Sequence, residues 1–207
     1  MAFVLEDIHL PATLTTAPMT DEEFGALCAE HSDLAFEMTA EGVLIVVSPN
    51  KYLASLRNGS IAAQLIVWAE ADARGAANDS SGGFVLPNGA RRSPDAAWVP
   101  MDVIDALDER HDRFLHACPA FVIELRSDSD RLPPLRAKMR EWISNGSELA
   151  WLLDPRTRTV EINRPNRPVE VIEGCESIAG EGPVDGFVLD LRLVWYPQTG
   201  RRRRQAW

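Results

Sequence analysis

The chain has 207 residues, 45% hydrophobic and 25% charged, which is the composition and length of one globular domain with a real core. Its net charge of −10 excludes a generally basic nucleic-acid-binding surface. No run approaches the roughly 20 apolar residues of a membrane span.

The imbalance is larger for the body of the chain. Arg201 to Arg204 form a terminal cluster, and removing those four of the 21 basic residues leaves 17 against 31 acidic ones, or −14. Contact with nucleic acid is therefore expected to be local or helped by cations. Cys28, Cys118 and Cys175 are scattered and form no CxxC pair, so they read as free thiols of a cytoplasmic protein. The first ten residues carry Glu6, Asp7 and His9 but no basic head, so no secretory signal is expected there.

Residues 1–19 hold two prolines and several threonines without a clear period and read as an extended lead-in. Thr20 followed by Glu23 is a capping-box pattern, and Phe24, Leu27 and Cys28 continue at helical spacing to about Glu30. Residues 34–39 and 43–47 flank Ala40-Glu41-Gly42 and read as an antiparallel hairpin. Leu34, Phe36 and Met38 share one face of its first strand, which leaves Glu37 on the other. Residues 54–73 turn helical, with Ile61, Leu65, Trp68 and Ala69 on one face. Asn58-Gly59-Ser60 is either the true start of this helix or an irregularity within it.

Residues 78–83 read as a polar turn, 83–86 as a strand, and Pro87-Asn88-Gly89 as a turn. The next strand covers 95–99, entered through Pro94, which suits the first position of a strand. Residues 101–118, with Asp102, Asp105, Asp108 and Asp112, read as a surface excursion with some helical character. The apolar run 121–126 is a buried strand. Prolines 133 and 134 lead into a helix over 135–145 that Gly146 stops. Strands at 149–153, 159–163, 169–173 and 187–191 close the pattern, and 201–207 is a basic tail. One α/β domain over residues 20–196 is the simplest organisation, between the 1–19 lead-in and a 197–207 tail.

Chemistry concentrates on Glu37, Asp95, Glu124, Arg126 and Lys138. Glu124 interrupts an otherwise apolar strand, and a buried carboxylate is costly unless paired, hydrogen-bonded or bound to metal. Asp95 opens a second apolar run. Glu124 and Arg126 are two apart and so project together. Lys138 lies on the shoulder of its helix's apolar stripe. Two carboxylates holding Mg²⁺ beside a basic residue can hydrolyse a phosphodiester, and Mg²⁺ takes one or two protein carboxylates with water and phosphate completing its shell.

These residues also have structural readings: a turn aspartate for Asp95, a buried ion pair with Arg126 or Lys138 for Glu124, and an exposed hairpin acid for Glu37. The histidines read as solvated. Trp68, Trp98, Trp142 and Trp151 fall on apolar periods and read as core. No GxxxxGK[ST] loop and no GxSxG elbow are present.

Pro94-Asp95 with Glu124-Leu125-Arg126 resembles the PD-(D/E)xK nuclease superfamily. More specifically, three groups of segments resemble the Uma-two family of "putative restriction endonucleases". They are 86–90 through Pro94-Asp95-Ala96-Ala97-Trp98-Val99; 122–127 with Ser129-Asp130; and 138–143 with Asn145-Gly146 and 151–155. That resemblance implies a restriction-endonuclease-like α/β sandwich, a mixed central sheet flanked by helices, with an added C-terminal β meander.

It also implies an Mg²⁺-dependent endonuclease (Mn²⁺ as substitute) acting on DNA, with Asp95 and Glu124 as metal carboxylates and an acidic hairpin residue at Glu37. A homodimer is implied too. The sequence departs from the superfamily at Arg126, where lysine is usual. Arginine stays protonated and is a poor base, so Arg126 is assigned to phosphate and Lys138 to the migrated lysine. The alternative is a catalytically impaired module on the same fold that binds nucleic acid or protein.

Overall fold

A computed structural model of the chain describes residues 12–17, 19–47, 51–107 and 114–197. His9, Asp108, His111, Asp112 and the Arg201 to Arg204 cluster lie outside the described residues.

The first segment, β1 (Ala12–Thr15), pairs antiparallel with β3 (Val43–Val47), which in turn pairs with β2 (Ala35–Met38). Between β1 and β2 lies α1 (Asp21–Glu30), and its capping box is formed: Glu23 N–H donates to Thr20 Oγ1, and Thr20 N–H donates to the Glu23 carboxylate. Phe36, Met38, Leu44 and Val46 are buried against Phe24 and Leu27 of α1, which leaves Glu37 on the opposite face.

The helix α2 (Tyr52–Asp72) runs straight through Asn58-Gly59-Ser60. Gly59 costs the helix about 1 kcal/mol relative to alanine, and it faces open space, where a methyl group would meet nothing. The polar turn expected over 78–83 is present from residue 80, and a strand that the sequence reading did not give precedes it. Gly75–Asp79 forms β4, an edge strand paired with β7 (Ala96–Pro100). The sequence hid it because its residues are small or polar, as a strand at a sheet edge can be.

Two short strands, β5 (Phe84–Val85) and β6 (Arg91–Arg92), join across a tight turn in which Gly89 N–H donates to Leu86 O and Gly89 takes φ +87°. Beyond β7 come the short helix α3 (Met101–Asp105), then β8 (Phe121–Leu125), α4 (Leu132–Ser144) and β9 (Leu149–Asp154). Helix α4 starts three residues earlier than the sequence reading, because prolines 133 and 134 fit inside its first turn, where backbone N–H groups have no helical partner anyway.

The main sheet then extends through β10 (Thr159–Asn163) and β11 (Glu170–Glu173), while β12 (Ser177–Ala179) and β13 (Val188–Asp190) pair separately. Helix α5 (Arg192–Trp195) comes last. Neither β12 nor α5 was legible in the sequence, since each spans four residues or fewer.

The six-stranded sheet runs β11-β10-β9-β8-β7-β4 and is mixed, with β8 and β9 parallel and the other neighbours antiparallel. The crossover between β8 and β9 is α4, as a parallel pair requires. Helix α2 covers one face through Ile61, Leu65 and Ala69, packed with Trp98, Phe121, Ile123 and Trp151. On the other face, Met139 and Trp142 of α4 pack on Ala97, Val122, Ala150 and Leu152. Every residue of β8 and β9 is buried. Among the described residues no helix is long and apolar enough to cross a membrane.

Candidate active site

Strands β7 and β8 run antiparallel with Ala96 opposite Ile123. One step further along the same register, Asp95 faces Glu124. The Leu125 N–H, one residue beyond Glu124, donates to Asp95 Oδ2 at 2.7 Å and closes this end of the ladder. Asp95 Oδ1 accepts from Asn58 Nδ2 at 2.6 Å, so α2 reaches across to hold the same carboxylate.

Glu124 is only 4% exposed. It accepts the Trp142 indole N–H at 2.9 Å and lies 2.8 Å from Lys138 Nζ, and both of these contacts fall on Oε1. Both partners come from α4, four residues apart on one face. Lys138 also donates to Glu37 Oε1 at 2.7 Å, and Ser93 N–H donates to the same oxygen at 3.2 Å. On its other side Glu37 Oε2 meets Arg92 Nη1 at 3.1 Å, and Arg92 Nε donates to Glu141 Oε2 at 2.6 Å.

The result is a chain of alternating charge, Glu124, Lys138, Glu37, Arg92, Glu141, with Asp95 beside its first member. Four carboxylates face two cations. Burial pushes Glu124 up from its ordinary 4.5 to about 7; Lys138 opposes the rise, while Asp95 and Glu37 add to it. Asp95 is raised too, chiefly by burial, against the pull of the Leu125 N–H and Lys138. Burial would also raise Glu37, but Lys138 and Arg92 outweigh it and hold that carboxyl below its usual range. Lys138 loses solvation, yet Glu124 and Glu37 raise its pKa above the ordinary lysine value, so the ammonium keeps its proton.

Glu37, Asp95, Glu124 and Lys138 are thus brought together. Arg126 is not part of the cluster. It shares Glu124's face, as the two-residue spacing requires, but its Nη1 lies 2.6 Å from Asp154 Oδ2 and its Nε donates to Asp130 O at 3.3 Å. In the parallel register of β8 and β9, Asp154 is the residue directly beside Arg126, so the guanidinium meets a carboxylate before it can turn toward Glu124.

Sequence reasoning missed Asn58, Arg92, Glu141 and Trp142. For Asn58 the signal was there: it sits three residues before Ile61, on the buried stripe of an otherwise apolar helix face. Trp142 was read as core, and it is core, with no exposure; its second role as a donor lies only in the tertiary contact.

The donor set suits a hard divalent cation. Asp95 and Glu124 offer carboxylate oxygens on adjacent strands, in a cluster with two carboxylates more than cations. No group of three or more His, Cys, Asp or Glu side chains is placed to hold a metal among the described residues. A site of two protein carboxylates leaves the remaining positions of a cation's shell to water. A buried carbonyl oxygen, Asn58 Oδ1, has no partner in this neighbourhood among the described residues.

Comparison with known proteins gives the same frame. The family model Uma2, described as "Putative restriction endonuclease", matches residues 21–192. The chain is also similar to a crystal structure described as a "putative nuclease belonging to DUF820" from Anabaena variabilis ATCC 29413. That likeness has a TM-score of 0.71 and 17% sequence identity, over 86% of this chain and 98% of that one. At that identity it shows the shared fold. No curated protein matches the chain.

Proposed function

The chain belongs to the Uma2 family of restriction-endonuclease-type proteins, and from that premise we propose that it is an Mg²⁺-dependent endonuclease hydrolysing DNA phosphodiester bonds. Asp95 and Glu124 hold the cation, and Mn²⁺ can substitute. The observation that supports this reading most is the pairing of Asp95 with Glu124 across adjacent strands, with Lys138 2.8 Å from the glutamate.

Bound Mg²⁺ lowers the pKa of a water and offsets charge on the phosphate oxygens. The protein's own groups do the rest. Asn58 and the Leu125 N–H fix both oxygens of Asp95. Trp142 and Lys138 fix Glu124 through Oε1, so neither occupies Oε2. Lys138, kept protonated by two carboxylates, donates to a phosphate oxygen and does not act as a base. Glu37 holds that ammonium in place from the far side. Arg126 anchors the loop after β8 through Asp154 and Asp130.

DNA contact is local in this reading, because the net charge of −10 opposes a broad footprint. The homodimer implied by the family resemblance and the cytoplasmic location read from the scattered cysteines belong to the same proposal. One observation favours a second reading, a non-catalytic module on this fold: Lys138 is engaged by Glu37 and Glu124 together, a self-sufficient ion-pair network. Cleavage of plasmid DNA with Mg²⁺ or Mn²⁺ separates the two. The wild-type chain should cut and Asp95→Ala and Glu124→Ala should not; activity that survives in both variants removes the assignment.

A further inference from the structure

Helix α2 buries an apolar stripe against the sheet through Ile61, Leu65 and Ala69. Asn58 stands on that stripe, 8% exposed, where an asparagine is a poor helix former and a costly thing to bury. Half of its amide has a partner, since Nδ2 donates to Asp95 Oδ1 at 2.6 Å. The other half does not: Oδ1 is buried with no hydrogen-bond partner among the described residues. Buried polar atoms are nearly always paired, so an orphan needs a specific explanation. Asn58 Oδ1 is thus open to a donor that the described residues do not supply.

Resting on the cation-site reading above, we propose that Asn58 is a positioning residue for the cation's water shell. Its nitrogen orients Asp95, and its carbonyl oxygen accepts a hydrogen bond from a water of the bound cation. The amide is planar and carries both atoms on one carbon, so the donor that grips Asp95 keeps the acceptor beside that carboxylate. An amide oxygen can only accept, and Mg²⁺ usually keeps several of its waters. Water on a divalent cation is a strong donor. Asn58 is therefore the link through which α2, which carries none of the acidic residues of the cluster, bears on cation affinity.

The test is calorimetric Mn²⁺ binding to the full chain and to Asn58→Ala and Asn58→Asp, with the Mn²⁺-induced rise in Tm as a second readout. Removing an outer partner of a metal site typically costs about 10–100-fold in metal affinity, and Asn58→Ala should lose that much. Asn58→Asp keeps an acceptor oxygen of the same shape but no donor, and it should recover most of the lost affinity. Mn²⁺ affinity of Asn58→Ala within twofold of wild type overturns the inference while leaving the cation site intact. So does an Asn58→Asp variant as weak as Asn58→Ala, because a brace for Asp95 alone would behave that way. Should Asn58→Ala not fold, Asn58→Asp decides: a tenfold or greater loss contradicts the proposal. A wild-type chain that binds no Mn²⁺ overturns both this inference and the reading it rests on.

Discussion

The Trp142 indole N–H donates to Glu124 Oε1 at 2.9 Å, so the tryptophan that seats α4 on the sheet also fixes the carboxylate at the centre of the site. Packing and chemistry therefore share one side chain. Trp142 has no exposure, touches Phe84 edge-on, and sits in the core formed with Val122, Ala150 and Leu152.

Trp142→Phe keeps an aromatic ring but removes the donor. A hydrogen bond to a charged group contributes about 1.5–3 kcal/mol, and the smaller ring leaves a void as well. A stability loss of at least ~2 kcal/mol above pH 7 is expected by urea denaturation. Below pH 5, where Glu124 is protonated, the loss should shrink. An equal loss at both pH values would mean that only packing was removed.

Lys138→Met leaves Glu37 and Glu124 facing each other without their common cation. Breaking a buried pair in this way typically costs about 3–5 kcal/mol. Mn²⁺ should recover part of that loss if it binds where the carboxylates now repel. Denaturation curves with and without Mn²⁺ measure this, and a variant as stable as the parent contradicts the network.

The pH dependence is set by the direction of each shift. Glu124 is an acid whose folded pKa is raised, from 4.5 to about 7. Its contribution to stability is therefore full below 4.5 and is lost as pH climbs through about 7. Glu37 is the opposite case: its pKa is lowered, so its contribution is present above the ordinary glutamate range and is lost as pH falls through the folded value. A metal that needs Glu124 ionised must displace its proton below pH 7. Mn²⁺ affinity should thus rise from pH 5.5 to 7.5, with proton release near pH 6 visible by calorimetry in buffers of different ionisation enthalpy. A flat profile would detach Glu124 from the metal.

How far the sequence could see depends on which contacts are local. The capping box at Thr20, the β2–β3 hairpin, β8 and the core stripe of α4 were all legible, because each is written in periodicity or in residues three or four apart. Glu37, Asp95, Glu124 and Lys138 could be named because acids and a lysine on apolar segments are anomalies. Asn58, Arg92 and Glu141 were missed because their roles depend on α2, β6 and α4 meeting at one end of the sheet. Arg126 was misleading for a related reason. The two-residue spacing gave its face correctly, but the parallel β8–β9 register decided its partner.

That partner gives a further prediction. Arg126→Ala should destabilise the protein by about 3–5 kcal/mol, because it strands Asp154, which is 4% exposed, without its cation. Mn²⁺ affinity should stay within a few-fold of wild type, since Arg126 engages Asp154 and the Asp130 carbonyl and neither acid of the proposed metal pair. Calorimetry on the folded variant checks this. A tenfold or greater loss of affinity would return Arg126 to the site.

The central claim, that Asp95 and Glu124 together hold a divalent cation, is tested most directly by anomalous diffraction at the manganese edge from crystals soaked in Mn²⁺. One strong peak per chain is expected between the two carboxylates, about 2.0–2.3 Å from an oxygen of each, with Lys138 Nζ moved off Glu124 or sharing it. A chain with no peak there, and Lys138 still 2.8 Å from Glu124, would contradict the claim.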